Sequence, residues 1–332
     1  MHVSVLHSTL SERDLLGYVF THYSLAKDDY FRCFFVEKGC NDTYLIKGEN
    51  NRFILRVYHA EWRTPSQVAF EMEALQWLLV QGASVSQPIK RRDGALLGVI
   101  GAPEGERIVV MFSYAEGAPA EFGALEREEC VSYGRALADL HNRARGFLAV
   151  SPRFSLDEEH LITNPLRLIE PHLRDRVKDW KFLLEFADLL KARIGELDQE
   201  GLTKGLCHGD AHGGNAHRDQ SETVTFFDFD CCGMGWLAYD IAVFLWAARI
   251  KEKHLQRSGE FLSGYESVRR ISSTEKAALP VLIAMRDIWI TGTTISNGGK
   301  NGHRWVMNSR YFDIHMTRWQ YMRDECFPIS SV

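Results

Sequence analysis

The sequence predicts an α+β protein of two lobes: a small β-rich N-terminal lobe carrying one main helix, and a larger helical C-terminal lobe. Three observations carry this. Residues 31–60 and 96–115 hold short runs rich in β-branched and aromatic residues. From residue 125 onward, apolar residues recur at helical spacing through a succession of long segments. Between them, Glu116-Gly117 marks a change of pattern. The expected division is 1–114 and 115–332, with a connector near 114–118.

Taken in order, FRCFFVE at 31–37, DTYLIKG at 42–48 and RFILRVYHA at 52–60 read as strands, the last two joined by a turn at Gly48-Glu49-Asn50-Asn51. A helix follows, with Thr64 as its cap, Pro65 at its first position and Gly82 at its end. LLGVIGA at 96–102 and RIVVMFSYA at 107–115 are further strands. Helices are expected at 125–145, 177–197, 239–250, 255–270, 274–296 and 309–323, with Pro280 as a point of kinking.

The composition is that of an ordinary globular chain: of 332 residues, 45% are apolar and 25% charged. A net charge of -5 leaves no electrostatic footprint for nucleic acid, and no polybasic run would grip an anionic membrane. The stretch MHVSVLHSTLSERDLLGYVF lacks the basic-then-apolar order of a signal peptide. The apolar run at 241–248 is short of the ~20 residues that span a bilayer. The seven cysteines form no CxxC pair, which argues against zinc and disulfides. The expectation is a cytoplasmic chain with reduced thiols.

Chemistry concentrates in residues 206–230, LCHGDAHGGNAHRDQSETVTFFDFD. Asn215 follows Asp210 of His208-Gly209-Asp210 by five residues, and Asp228 lies thirteen further on, after a hydrophobic run. Phosphoryl transfer uses this spacing: a loop Asp accepts the proton of the attacking hydroxyl, and an Asn and a later Asp hold Mg²⁺. A triphosphate carries about four negative charges that must be offset before a nucleophile approaches. Mg²⁺ takes hard oxygen ligands and keeps several waters, so a carboxylate and an amide suffice. Any one of these residues alone reads as a turn former. Their joint spacing favours the chemical reading.

HGDAHGGN at 208–215, FFDFD at 226–230 and GWLAYDIAVFLW at 235–246 resemble the aminoglycoside phosphotransferase/choline kinase-type family. Relatives in that family include bacterial homoserine kinases and a stress-response Ser/Thr kinase. YGRALADLHN at 133–142 and FLSGYESVRR at 261–270 resemble two of its helices. The resemblance implies a protein kinase-like fold, ATP and Mg²⁺ as cofactors, and a small-molecule hydroxyl acceptor. Carried over by position, Asp210 is the catalytic base and Asn215 and Asp228 are the metal ligands. His208 is a structural histidine of the catalytic loop. Asp240 braces the loop through backbone N–H groups, or else caps the following helix. His212 donates to phosphate or substrate, or packs.

The N-terminal lobe departs from the protein-kinase pattern. It has no G-x-G-x-x-G; Gly39 sits in a hairpin turn and Asn41 precedes the next strand, both candidates for covering the nucleotide. Arg56 stands where a phosphate-pairing lysine is expected, with Glu71 as its partner and Glu73 as the alternative. Phe112–Tyr114 would be the adenine-binding hinge. For the acceptor, Trp236, Trp289 and Trp305 are candidates for an aromatic wall or are core residues, and Asp230 faces a cationic amino group or solvent. Residues 280–332 do not cluster carboxylates, which weakens an aminoglycoside acceptor and leaves amino-alcohol, sugar and antibiotic hydroxyls open. A Ser/Thr protein kinase is the second reading and a nucleotide-binding pseudokinase a third. A metalloprotease built on His208 and His212 lacks the intervening Glu, and a metallophosphatase draws its ligands from more widely separated loops.

Overall fold

The computed structural model describes residues 3–26, 29–119, 127–250, 254–298 and 308–328. The chain packs into two compact units. The first comprises the chain up to Glu116 together with Leu148–Arg153 and Thr225–Asp230. The second comprises Gly117–Phe147, Phe154–Val224 and the chain from Cys231 onward. Two short segments from beyond residue 116, one of them carrying Asp228, therefore pack with the first unit.

The first unit is built on an antiparallel sheet of β1 (Arg32–Lys38), β2 (Asn41–Lys47), β3 (Arg52–Tyr58), β4 (Gly98–Ala102) and β5 (Gly105–Ser113), in the order β1-β2-β3-β5-β4. Period-two alternation puts Tyr44, Ile46, Leu55, Val57, Val109 and Met111 on one buried face. Leu15 and Val19 of α1 (Glu12–His22), with Tyr23 just after it, pack against it. That helix was not anticipated, although Ser11 caps it by accepting from the Asp14 N–H and two acids occupy its first turn. α2 (Pro65–Val80) starts as expected, on a capping box in which Thr64 and Gln67 each satisfy the other's backbone N–H. It ends at Gly82, whose φ of 77° suits glycine.

Asp42 of β2 is a fully buried charge hub in this unit. Arg107 Nη2 donates to it at 2.8 Å, and His7 and His59 reach its two oxygens at 3.2 and 3.1 Å. The three groups lie close enough to hold an ion, within 4.8 Å of one another. Arg107, however, already neutralises the carboxylate. Burial and then the neighbouring His59 depress the His7 pKa to about 4, with Asp42 opposing and Arg107 and Lys38 adding to the depression.

The second unit is mainly helical: α3 (Arg127–Arg143), α4 (Asn164–Leu173), α5 (Val177–Gln199), α6 (Leu237–Ile250), α7 (His254–Glu266), α8 (Ser273–Gly298) and α9 (Ser309–Cys326). Its short strands include β6 (Ala118–Pro119), which pairs with β9 (Ala216–Arg218). A three-stranded sheet has the order β7 (Ser155–Leu156), β11 (Gly233–Trp236), β8 (Lys204–Cys207). β10 (Val224–Phe226) ends at Phe226, whose N–H donates to the Ser84 carbonyl within the first unit.

α4, with the π-helical turn Glu159–Thr163 before it, was also missed; Pro165 and Pro171 disguise the helix, yet Pro165 sits in its first turn, where no N–H is needed. α6 is apolar nearly all round because nearly all of it is buried. α8, unlike the short apolar run at 241–248, is apolar and long enough, at 26 residues, to cross a membrane. Of its most apolar window 72% is buried inside the protein, as befits a core helix. Pro280 lies within it and the helix continues. No cysteine is in a disulfide, and five of the seven are buried; burial pushes the Cys130 thiol up to about 11.

α3 and α7 are in backbone contact, made possible by two glycines of the sequence motifs. A Cβ on Gly134 would overlap the Phe261 carbonyl oxygen, and one on Gly264 the Val131 carbonyl oxygen. We expect Gly134→Ala to destabilise the chain by about 1–3 kcal/mol, the usual cost of overpacking; a chemical denaturation curve unchanged from wild type would show that the helices can separate freely. For His7, a folded pKa below the unfolded value of 6.5 means that the stabilising effect is complete above about pH 6.5 and is lost as pH falls toward 4. His7→Gln should flatten the stability profile over that interval, read as melting temperature against pH.

Candidate active site

In the second unit, β8 delivers the chain into the loop His208–Asn215. Gly209 has φ 80°, and a Cβ there would overlap the Cys231 carbonyl oxygen, so the motif requires glycine at this point. Asp240, fully buried in the first turn of α6, holds the loop: its Oδ2 accepts from the His208 N–H at 2.7 Å and its Oδ1 from the Gly209 N–H at 2.8 Å. It therefore braces the loop. Asp240 is fixed in turn by His141 Nε2 at 3.0 Å, and His141 Nδ1 meets the Tyr265 hydroxyl at 2.7 Å. Arg269 donates to that hydroxyl at 2.9 Å, so Tyr265 donates to Nδ1 and the Nε2–H of His141 points at the carboxylate.

Asp210 is partly exposed, with 21% of its side chain open. Asn215 Nδ2 donates to the Asp210 carbonyl at 2.9 Å and to its Oδ2 at 3.0 Å. With Nδ2 toward Asp210, the planar amide turns Asn215 Oδ1 away from that carboxylate. His208 is buried, and its Nδ1 accepts from the Asp210 N–H at 3.3 Å, a structural role. His212 is partly exposed; its Nε2 stands 3.6 Å from Asp210 Oδ2 and its carbonyl accepts from the Tyr133 hydroxyl at 3.0 Å. His208–His212 is not helical, the one short 3-10 turn of the loop being Gly213–Asn215, which removes the metalloprotease geometry. Sequence reasoning missed Arg286: from α8, its Nη2 pairs with Asp210 Oδ1. Its only signal was an Arg286-Asp287 pair set between apolar residues in the middle of the helix.

In the first unit, Arg56 of β3 bridges Glu71 of α2 at 2.8 Å and Asp228 at 3.0 Å. Burial works against the Arg56 charge, but Asp228, Tyr58 and Glu71 outweigh it and hold the guanidinium protonated. Burial raises the Glu71 carboxyl above the usual range, with Arg56 opposing. The Tyr58 hydroxyl donates to its second oxygen at 2.8 Å. Glu73 is not the partner; it accepts from Ser151 Oγ at 2.6 Å and from the Val150 N–H at 2.8 Å. Asp228 keeps 40% of its side chain exposed and sits at φ 64°. For a residue with a Cβ that backbone costs roughly 1–2 kcal/mol, and strain of this kind gathers at functional sites.

Asp230 and Asn41 depart from their expected roles. Asp230 is 4% exposed and does not face solvent; its Oδ2 accepts from Asn41 Nδ2 at 2.6 Å and Trp62 Nε1 at 2.8 Å. A buried carboxylate needs donors, and Asn41, expected at the nucleotide, is used as one. Gly39 is in the hairpin turn, where its N–H donates to the Asn41 carbonyl at 3.0 Å. The Phe112 ring lies under the Arg56 guanidinium at 4.9 Å and the Tyr114 ring under that of Arg52 at 4.3 Å. Trp236 is a core residue tied through Nε1 to Asp198 at 2.9 Å. Trp289 is buried beside Arg286, while Trp305 lies outside the described residues.

Asp240→Ala would leave two buried loop N–H groups and His141 without their acceptor, at about 1–3 kcal/mol for each unsatisfied group. The His208 and Gly209 amides should then exchange with solvent orders of magnitude faster than in wild type; unchanged protection would show that the loop is held by other contacts.

A model of the phosphotransferase enzyme family matches residues 36–271. The homoserine kinase of Rhizobium johnstonii is 30% identical over 252 residues, spanning 73% of this chain and 73% of its own. A microcompartment-associated aminopropanol kinase superposes with TM-score 0.74 at 23% identity, over 94% of this chain and 95% of that one. An amicoumacin kinase solved with AMP-PNP, Ca²⁺ and Ami superposes with TM-score 0.73 at 19% identity, over 97% and 96% of the two chains. These two likenesses show the fold, which is the protein kinase-like one that the sequence motifs imply. The chain belongs to the phosphotransferase enzyme family, as a kinase with hydroxyl acceptors.

Proposed function

We propose that this chain transfers the γ-phosphoryl group of ATP to a hydroxyl of a small molecule, with an amine-bearing alcohol as the favoured acceptor. The observation that carries the reading is the partly exposed Asp210, held on a loop whose backbone is gripped by a buried carboxylate and whose Asn215 donates to the Asp210 carboxylate. The relatives support the acceptor class: one acts on homoserine by its name and one on aminopropanol.

Asp210 receives the acceptor's hydroxyl proton as that oxygen bonds to the γ-phosphorus and the bond to the ADP oxygen breaks. Asn215 Oδ1 and the Asp228 carboxylate are the groups that would hold Mg²⁺, both hard oxygen donors of the kind it takes. When bound, the ion offsets phosphate charge. Arg56, fixed by Glu71, brings a permanent positive charge beside Asp228. In this reading residues 1–114 cover the nucleotide, with the Phe112–Tyr114 strand end as the hinge, and 115–332 bind the acceptor. Asp240 keeps Asp210 at one position, which matters because misplacement by about 1 Å can cost 10²-fold in rate.

The test is ADP release from Mg²⁺-ATP across homoserine, aminopropanol, choline, sugars, aminoglycosides and a generic protein substrate. We expect release with an amino alcohol; phosphorylation of the protein substrate alone would favour a protein kinase. Asp210→Asn should keep nucleotide affinity and lose roughly 10²–10⁴ in rate, and near-normal turnover would remove it as the base. Asp228→Ala should abolish the metal dependence of nucleotide binding, measured by titration with and without Mg²⁺.

A further inference from the structure

Arg286 lies in the middle of α8, and its side chain is 2% exposed. Its Nη2 pairs with Asp210 Oδ1, and its Nη1 reaches the Gly209 carbonyl at 3.4 Å. The guanidinium lies against two indoles, with Cζ 5.1 Å from the Trp246 ring centre and 4.6 Å from that of Trp289. Each indole is tethered by its own N–H. Trp246 Nε1 donates to Asp287 Oδ1 at 2.9 Å, and Arg318 holds the same oxygen at 2.7 Å. Trp289 Nε1 donates to His160 Nε2 at 3.1 Å, and the His160 ring stacks on Phe154 at 4.0 Å. His160 belongs to the π-helical turn, a backbone form that recurs at functional sites.

Taking Asp210 as the base, we propose that Arg286 is a positioning residue of the phosphoryl transfer: clamped by Trp246 and Trp289, it fixes the Asp210 carboxylate in one orientation toward the acceptor hydroxyl. A guanidinium suits this task because its planar fork stacks on indoles while directing N–H groups at a carboxylate oxygen. An ammonium carries the charge without the plane. Burying an ion pair is a poor source of stability compared with apolar packing, so a pair built this deep at the catalytic carboxylate is better explained by the orientation it imposes. With Oδ1 committed to Arg286, the acceptor hydroxyl is directed to the Oδ2 side, where Asn215 also donates. The clamp extends the catalytic machinery into α8 and the π-helical turn, neither of which carries a recognisable motif.

The test compares Arg286→Ala, Arg286→Lys, Trp289→Phe and Asp210→Asn in the full chain. Turnover is read as ADP release from Mg²⁺-ATP, first with water alone as acceptor and then with the fastest alcohol of the panel. AMP-PNP affinity and melting temperature are measured in parallel. For Arg286→Ala we expect kcat to fall by about 10²-fold, with KM for ATP and AMP-PNP affinity within about twofold of wild type, and millimolar guanidinium ion to restore part of kcat. Arg286→Lys should stay slow, since charge alone does not orient the carboxylate. Trp289→Phe, which keeps the ring but removes the tether to His160, should lose a smaller part of kcat and also carries the test if Arg286→Ala does not fold. The proposal is overturned if Arg286→Ala turns over near the wild-type rate. It is equally overturned if kcat and AMP-PNP affinity fall together with no guanidinium rescue, or if Arg286→Lys and Trp289→Phe are both fully active. Full activity of Asp210→Asn would instead remove the base and the proposal with it, whereas an inactive Asp210→Asn beside an active Arg286→Ala removes the proposal alone.

Discussion

The buried carboxylate of Asp240, accepting the N–H groups of His208 and Gly209, is the interaction on which the catalytic loop depends. A loop of this composition, with three glycines in eight residues, has little preference for one conformation. Asp240 supplies that preference, and it is itself fixed by a relay through His141, Tyr265 and Arg269 that ends on Glu275. Four helices thus converge on one peptide segment. The close approach of α3 and α7 through Gly134 and Gly264 is what brings His141 and Tyr265 within hydrogen-bond distance. Helix packing, usually a matter of stability, here sets the position of a functional loop.

The first unit solves a different problem, that of keeping charges in a dry place. Arg56 is satisfied on both sides by Glu71 and Asp228, and Asp230 by Asn41 and Trp62. Arg63 adds a bond to the Asp230 carbonyl at 2.9 Å. The two aspartates of the Asp228-Phe229-Asp230 motif therefore have opposite fates. Asp230 is consumed by the fold, whereas Asp228 is left partly exposed in a strained backbone. The alternation follows from the chain's turn at this point and separates the residue that anchors the segment from the one that is presented.

Much of this was legible in the sequence where local chemistry dictates local structure. The cap at Thr64, Gly82 after α2 and the strand periods each have a short-range cause, and each reads correctly. α1 and α4 were missed, the first because its single cap went unread and the second because prolines masked it. The candidate site was legible where a motif holds its residues together, and it was illegible across long separations. Arg286 meets Asp210 across 76 positions, and Asn41 meets Asp230 across 189. Pairings of that kind depend on which helices and turns pack together, which no spacing rule encodes. The aromatic residues nominated as an acceptor wall show the same limit: Trp236 and Trp289 are as apolar as a pocket would want, but their N–H groups find partners in the interior.

Phosphoryl transfer as proposed requires Asn215 and Asp228 to serve one ion at the phosphates while Asp210 stays off it. The direct measurement is a crystal structure of the chain with AMP-PNP and Mn²⁺, with the ion located by its anomalous signal. The expected result is an ion bound to Asn215 Oδ1, an Asp228 carboxylate oxygen and the nucleotide phosphates, with Asp210 unliganded and still paired to Arg286. An ion that lacks either residue, or one seated instead among His7, Asp42 and His59, would contradict it.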